Sequence, residues 1–154
     1  MTISIRPARA GDVADVGQIA EATDMFPAEM LDDMIAGYLN DAEPVLWFVA
    51  EDDGVLGFGF CEPERIADGA WNLLAIGISP DHQGKGIGAA MLGYLKAALL
   101  TAKARILIVE TLGTDGFQLT REFYLKNGFD EEARIRDFYE DGGDKVVFWK
   151  RISR

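Results

Sequence analysis

Glycines at every second position, Gly84, Gly86 and Gly88, mark where this sequence could do chemistry. They follow an apolar run that stops at Pro80 and lead into residues with helical apolar spacing. Glycine removes side chains where the backbone N–H groups of a starting helix lack partners. Those N–H groups and the positive end of the helix dipole suit a phosphate or diphosphate. Other chemistries are poorly supplied. His82 is the single histidine and Cys61 the single cysteine, too few for a thiolate–imidazole zinc site, and no metal site is expected; His82 precedes the glycine turn and reads as a loop residue or weak phosphate contact rather than the base of a triad.

Several phosphate ligands compete for the glycine turn. A nucleoside triphosphate loop needs Gly-Lys followed by Ser or Thr for magnesium, and here Lys85 is followed by Gly86. A nicotinamide dinucleotide fits better, since Gly84-Lys85-Gly86-Ile87-Gly88-Ala89 reads G-x-G-x-x-A and Glu110 follows roughly 20 residues on. Against it, the five residues Ser79 to Gln83 separate strand from glycines where that turn should be tight. The chain is also too short for a second nucleotide-binding half.

The elements that must hold this turn follow from apolar periodicity. Thr2–Arg6 alternates as a strand. Gly11–Ala22 is helical, with Val13, Val16, Ile19 and Ala20 in register, and Pro27 opens a second helix carrying Leu31, Met34, Ile35, Tyr38 and Leu39. Val45–Glu51 and Val55–Cys61 form a hairpin through Asp52-Asp53-Gly54. After a polar loop, Trp71–Ile78 is nearly all apolar and is expected to be buried on both faces. Beyond the glycine turn come a helix, the strand Arg105–Glu110, a helix over Phe117–Lys126 closed by Asn127-Gly128, and the strands Phe129–Arg136 and Lys145–Arg151. The order is β-α-α-β-β-β-α-β-α-β-β, a mixed α/β (α+β) sheet in a single domain spanning 1–154. The last strand could pair between subunits, giving a homodimer.

Composition agrees with a soluble domain. Hydrophobic residues make up 49% of the 154, enough for a core, and no apolar run approaches a membrane span. The N-terminus lacks a basic-then-apolar signal pattern and the lone cysteine excludes an internal disulfide, so a cytoplasmic protein is expected. With 26 acidic against 15 basic residues the net charge is −11, which disfavours nucleic acid; it reads first as solubility, and in a sharper reading as attraction of a cationic substrate such as an amine.

Gln83-x-x-Gly86-x-Gly88 after an apolar strand and Pro80 resembles the acyl-coenzyme A loop of the GNAT superfamily of N-acetyltransferases. The element order also matches that fold. So does Glu122-Phe123-Tyr124-Leu125-Lys126-Asn127-Gly128-Phe129, which resembles the family's helix-to-strand segment, so the likeness covers nearly the whole chain. The C-terminal half is similar to ribosomal-protein alanine N-acetyltransferases. The resemblance implies about four helices and a mostly antiparallel sheet splayed between the strands at 71–78 and 105–110. It also implies transfer of an acetyl group from acetyl-coenzyme A to a primary amine. Pantetheine would lie along the backbone of Ala75, Ile76, Gly77 and Ile78, and the diphosphate over Gln83, Gly84, Lys85, Gly86, Ile87 and Gly88. Gly77 in a strand interior suits close approach of a ligand, or else a bulge.

Catalytic roles follow on the same footing. A protonated amine must lose a proton before it attacks, and Glu110 is the candidate base because it ends an apolar strand where burial would raise its pKa. Glu62 and Asp68 are alternatives. Tyr124 would protonate the departing thiolate, as the matching Tyr does across the family. Many members carry an Asn seven residues before that Tyr; Phe117 stands there instead, and Leu112–Gln118 is longer than usual. The acceptor would meet the first two helices, the 62–70 loop and the last hairpin. These offer Asp24, Met25, Phe26, Trp47, Trp71, Phe138 and Tyr139, with Phe26, Trp71 and Tyr139 as the named contacts. Two rival functions are a non-catalytic acyl-coenzyme A sensor and a nicotinamide-dependent protein.

Overall fold

The computed structural model describes residues 2–153. The chain runs β1 (Ser4–Pro7), α1 (Val13–Ala22), α2 (Leu31–Leu39), β2 (Leu46–Glu51), β3 (Val55–Pro63), β4 (Ala70–Ile78), α3 (Ile87–Thr101), β5 (Ile106–Leu112), α4 (Gln118–Lys126), β6 (Asp130–Glu140) and β7 (Gly143–Arg151). This is the expected order. The strands are hydrogen-bonded in the sequence β1-β2-β3-β4-β5-β7-β6. The β4–β5 pair is parallel, whereas β1–β2, β2–β3, β5–β7 and β6–β7 are antiparallel. No helix among the described residues is long and apolar enough to cross a membrane. The chain packs as two compact units, one of residues 1–62 with 74–95 and one of 63–73 with 96–154; β4 and α3 contribute to both.

In the first unit α1 buries Val16, Ile19 and Ala20, the i, i+3, i+4 stripe, while α2 buries Leu31 and Ile35. These pack with Trp47 and Val49 of β2 and Phe58 and Phe60 of β3. Trp47 stacks on Phe60 with ring centroids 4.2 Å apart. Each such large side chain contributes about 1.5–3 kcal/mol on burial. One ionic cluster ties β1, β2 and the approach to α1 together. Arg6 donates to both Asp12 oxygens at 2.7 and 2.9 Å and to both Glu51 oxygens at 2.9 and 3.0 Å. Asp12 also accepts the Arg9 backbone N–H at 2.9 Å.

In the second unit β5 is central. Its Ile106–Val109 stretch lies in parallel register with Ala70–Leu73, and its other edge pairs with β7 along its whole length, Ile106 opposite Arg151 and Leu112 opposite Lys145. Side chains alternate along β5, with Leu107, Val109 and Thr111 buried and Ile108, Glu110 and Leu112 half-buried. Asn127-Gly128 ends α4 as expected, Gly128 taking φ +87°.

Three expectations are corrected. The strand read as Arg105–Glu110 continues to Leu112, so Glu110 does not end it. Leu74 is 45% exposed, so β4 is not buried on both faces throughout. The last strand, read as one that could pair between subunits, has a neighbour on each side: β7 lies between β5 and β6, and β6, with all eleven residues exposed, is the edge strand at that end of the order. Charged side chains and two register shifts along β6 are the means by which exposed edges avoid pairing with other chains.

The Arg6 cluster makes a stability prediction. Hydrogen bonding from Arg6, above all, holds the Asp12 carboxyl below its usual range. Its contribution is complete above the unfolded value of about 3.9 and is lost as pH falls through the lower folded value. Asp12→Asn is expected to cost about 1–2 kcal/mol at neutral pH, since Arg6 keeps Glu51. Urea midpoints should converge with those of the unaltered chain on acidification; a gap that fails to narrow as pH is lowered would refute the assignment.

Candidate active site

The glycine turn belongs to the first unit. After β4, Ser79 N–H donates to the Leu56 carbonyl at 2.8 Å, and Pro80–His82 forms a single 3-10 turn closed by His82 N–H to the Ser79 carbonyl. The Gln83 amide reaches back to the Ile78 carbonyl at 3.1 Å, so Gln83 shapes the turn through its side chain. Gly84 and Gly86 then take φ +76° and +81°, a conformation that side chains disfavour. A Cβ at either would meet nothing within 4 Å, so glycine is there for its backbone freedom rather than for space. The Gly86 carbonyl accepts the Ala90 N–H at 3.1 Å. The N–H groups of Ile87, Gly88 and Ala89 therefore precede the first turn's bonds, as helix geometry requires. Gln83, Gly84, Lys85 and Gly86 are exposed, so an anion has access.

The strand before the turn is differently built than expected. Ala75 and Gly77 are buried and Ile76 and Ile78 half-buried. The space a Cβ would take at Gly77 is filled by Phe58 Cε1 at 3.1 Å, Met25 Cε at 3.2 Å and Ile19 Cγ2 at 3.5 Å. Core side chains, not a ligand or a bulge, explain this glycine. Met25 and Phe26 belong to the α1–α2 turn, where Asp24 takes φ +54° and Phe26 meets Phe58 edge-on at 6.2 Å. Glu21, Asp24, Met25, Phe26 and Pro27 line a hollow of about 430 Å³ there.

The second unit holds Tyr124 and Glu110, on opposite faces of its strands. Tyr124 packs on Phe148 and Phe129, with centroids 5.6 and 5.4 Å away, and Phe148 is in register with Val109. Glu110, one residue on, is in register with Val147 and points to the other face. Tyr124 is 3% exposed, and burial holds its phenol well above the usual range. Among the described residues nothing hydrogen-bonds its hydroxyl. Glu110 contrasts with it. Its side chain is 31% exposed and lies 3.3 Å from the Lys145 ammonium. Lys145 Nζ also sits 3.6 Å from the Phe138 ring centroid. Tyr139 is near enough for Glu110 to add to the effect of burial in raising its phenol.

The remaining candidates separate in the same way. Trp71 is buried and in parallel register with Leu107, on the face opposite Glu110, so it belongs to the core. Trp47 is likewise a core residue. Asn72 is a polar β4 residue on Glu110's face, in register with Ile108; its Nδ2 donates to Glu64 at 2.9 Å while its buried Oδ1 has no partner among the described residues. The signal for it was one polar residue inside an apolar run, and for Lys145 a cation at the base of the last hairpin. Asp68 is exposed and only its carbonyl is engaged, by Arg105. Cys61 is sealed, its thiol pushed up by burial, which suits packing and not nucleophilic attack. No group of His, Cys, Asp or Glu among the described residues is placed to hold a metal. The long Leu112–Gln118 stretch is pinned by Arg121, which donates to the Leu112 and Thr114 carbonyls at 2.9 and 2.8 Å, and Phe117 is 44% exposed.

Residues 43–131 match the family model of the acetyltransferase (GNAT) domain. The chain belongs to the GNAT family. A curated relative is an uncharacterized N-acetyltransferase of Methanocaldococcus jannaschii, 26% identical over 110 residues, which are 70% of this chain and 67% of the relative. A structure from Desulfovibrio desulfuricans described as a GNAT-family acetyltransferase is 26% identical, covers 99% of this chain and 100% of its own, and superposes with a TM-score of 0.89. The fold is shared with a Salmonella typhimurium protein described as an acetyltransferase and solved with its cofactor acetyl-CoA, at 16% identity, 100% and 96% coverage and a TM-score of 0.81. This GNAT chain is accordingly an N-acetyltransferase, and acetyl-coenzyme A is the donor that goes with membership of the family. The nicotinamide and sensor readings are set aside by that membership.

Gly77 supplies a test of packing. Gly77→Ala in this GNAT protein should destabilise the chain by about 1–3 kcal/mol, because Phe58 is fully buried and cannot yield. Urea unfolding checks it; an unchanged midpoint would show that Met25 and Phe58 simply move aside.

Proposed function

We propose that this enzyme transfers the acetyl group directly to a primary amine, with no acyl-enzyme stage, and that the whole chain acts as one catalytic domain. The observation that carries the reading is the placement of Tyr124 and Glu110 on opposite faces of one strand layer, one dry and one wet. An amine entering and a thiolate leaving a tetrahedral carbon need a base on one side and an acid on the other. In this reading the diphosphate lies on the backbone N–H groups of Gln83–Gly88, whose glycine geometry supports it. Pantetheine pairs along Ala75–Ile78, the part of β4 that continues beyond its last β5 partner at Leu73. A β4 backbone N–H near Ile76 holds the oxyanion.

The attacking amine gives its proton to Glu110, directly or through water. The nitrogen forms the amide bond as the carbon–sulfur bond breaks. Tyr124 then protonates the thiolate, and its raised pKa keeps the phenol protonated until that moment. Phe26 and Tyr139 serve the acceptor. The acidic hollow beside Phe26 and the net charge of −11 support a cationic amine with an apolar portion. The lone cysteine supports a cytoplasmic site of action.

Thiol release over panels of amines and peptides tests the reading; acetyl-coenzyme A binding with no acetylated product from any amine would sink it. Tyr124→Phe should lower kcat about 100-fold while acetyl-coenzyme A affinity, measured by calorimetry, stays within about twofold. Equal loss in both would make Tyr124 a packing residue. Gly86→Ala forces a side chain into left-handed backbone and should weaken acetyl-coenzyme A binding about tenfold, by about 1–2 kcal/mol of strain. Unchanged affinity would remove the turn from the donor site.

A further inference from the structure

The Lys145–Glu110 pair is a primary amine held against a carboxylate, the arrangement the reaction requires of its acceptor. Lys145 and Val147 share a face of β7, and Leu112 and Glu110 share the matching face of β5, so the pair spans the ladder diagonally. The ammonium is fixed from two sides, 3.3 Å from Glu110 Oε1 and 3.6 Å from the centroid of Phe138. Its side chain is 13% exposed, whereas Lys85, Lys96, Lys103 and Lys126 are all exposed. A donor free in solution therefore meets those four lysines far more readily than Lys145. If Glu110 is the acceptor's base, as proposed above, a donor bound for catalysis presents its thioester to the amine that Glu110 holds.

We propose that Lys145 is an acetylation site that the enzyme modifies itself. The inference rests on the reading of Glu110 as the group that receives the acceptor's proton. The Lys145 ammonium gives a proton to Glu110, and the freed Nζ lone pair attacks the thioester carbonyl. The carbon–sulfur bond breaks, the nitrogen–carbon bond remains as an amide, and the coenzyme A thiolate takes its proton from Tyr124. The second proton on nitrogen leaves to solvent or to the Tyr124 phenolate. The product is an uncharged acetyl-lysine, which removes both the ion pair with Glu110 and the cation held on Phe138.

The test is peptide mass mapping after incubation of the whole chain with isotopically labelled acetyl-coenzyme A and no added amine. Label should accumulate on Lys145, at least tenfold faster than on the four exposed lysines. Glu110→Gln should abolish that excess, and Lys145→Arg, which keeps the charge but is not a primary amine, should leave only slow background. Circular dichroism on both variants confirms that they fold. Labelling of Lys145 at the rate of the exposed lysines, or equally in Glu110→Gln, overturns the proposal. If added amines are acetylated while Lys145 stays unlabelled, the proposal fails and the proposed function stands. If neither is acetylated, both fail.

Discussion

A backbone N–H or carbonyl must have a partner, and the points where this chain withholds one shape everything else. The start of α3 is one such point. Helix geometry leaves the amides of Ile87, Gly88 and Ala89 without intrahelical acceptors, and the left-handed backbone at Gly84 and Gly86 keeps side chains away from them. β5 is another. From Glu110 to Leu112 it has β7 on one edge, while its parallel ladder with β4 has already ended at Leu73–Val109. A strand with a free edge accepts an extended ligand as it would another strand. Neither feature needs an unusual side chain, which is why a glycine turn and an ordinary apolar strand carry so much of the family's character.

The second organising fact is the period of a β-strand. Successive residues point to opposite faces, so Val109 and Glu110 are adjacent in the chain yet meet different surroundings. Val109 faces the layer where Phe148 and Tyr124 pack, and Glu110 faces Lys145 and the solvent-wetted side of the last hairpin. One strand thereby backs a dry phenol and a hydrated carboxylate on its two faces. Asn72 lies on the Glu110 face by the same rule, its amide turned to Glu64.

That rule also explains what was legible in the sequence. Element order depends on local periodicity and on punctuation such as Pro80, Asp52-Asp53-Gly54 and Asn127-Gly128, and it was readable throughout. The glycine turn was readable because glycine spacing reports backbone conformation directly. Register is not local. Whether Trp71 faces the acceptor or the core depends on its pairing with Leu107, a residue far along the chain. Whether Gly77 admits a ligand depends on Met25 and Phe58 filling its missing Cβ. Glu110 looked like a strand end because apolar character stops there, but hydrogen bonding with β7 carries the strand through Thr111 and Leu112. The same non-locality placed β7 inside the sheet and left β6 at its edge.

In the proposed reading of Tyr124 as the acid, its burial bears on how it would give up its proton. Free phenols and thiols titrate within about two units of each other, so transfer between them in water is nearly balanced. Desolvation raises the phenol, and taken alone that makes it the weaker acid. Desolvation acts on any anion, however, and a thiolate expelled beside the same apolar rings loses hydration too. Its basicity rises along with the phenol's pKa, and the match between the two is preserved while both stand further from neutral pH. The benefit lies in the resting state. A phenol whose charged form is excluded by Phe148 and Phe129 stays protonated across the physiological range, so the proton is always present when the carbon–sulfur bond breaks. A hydrated phenol would offer the same proton but would let water compete for the nascent thiolate. The rings around Tyr124 therefore select the partner of proton transfer more than they tune its strength.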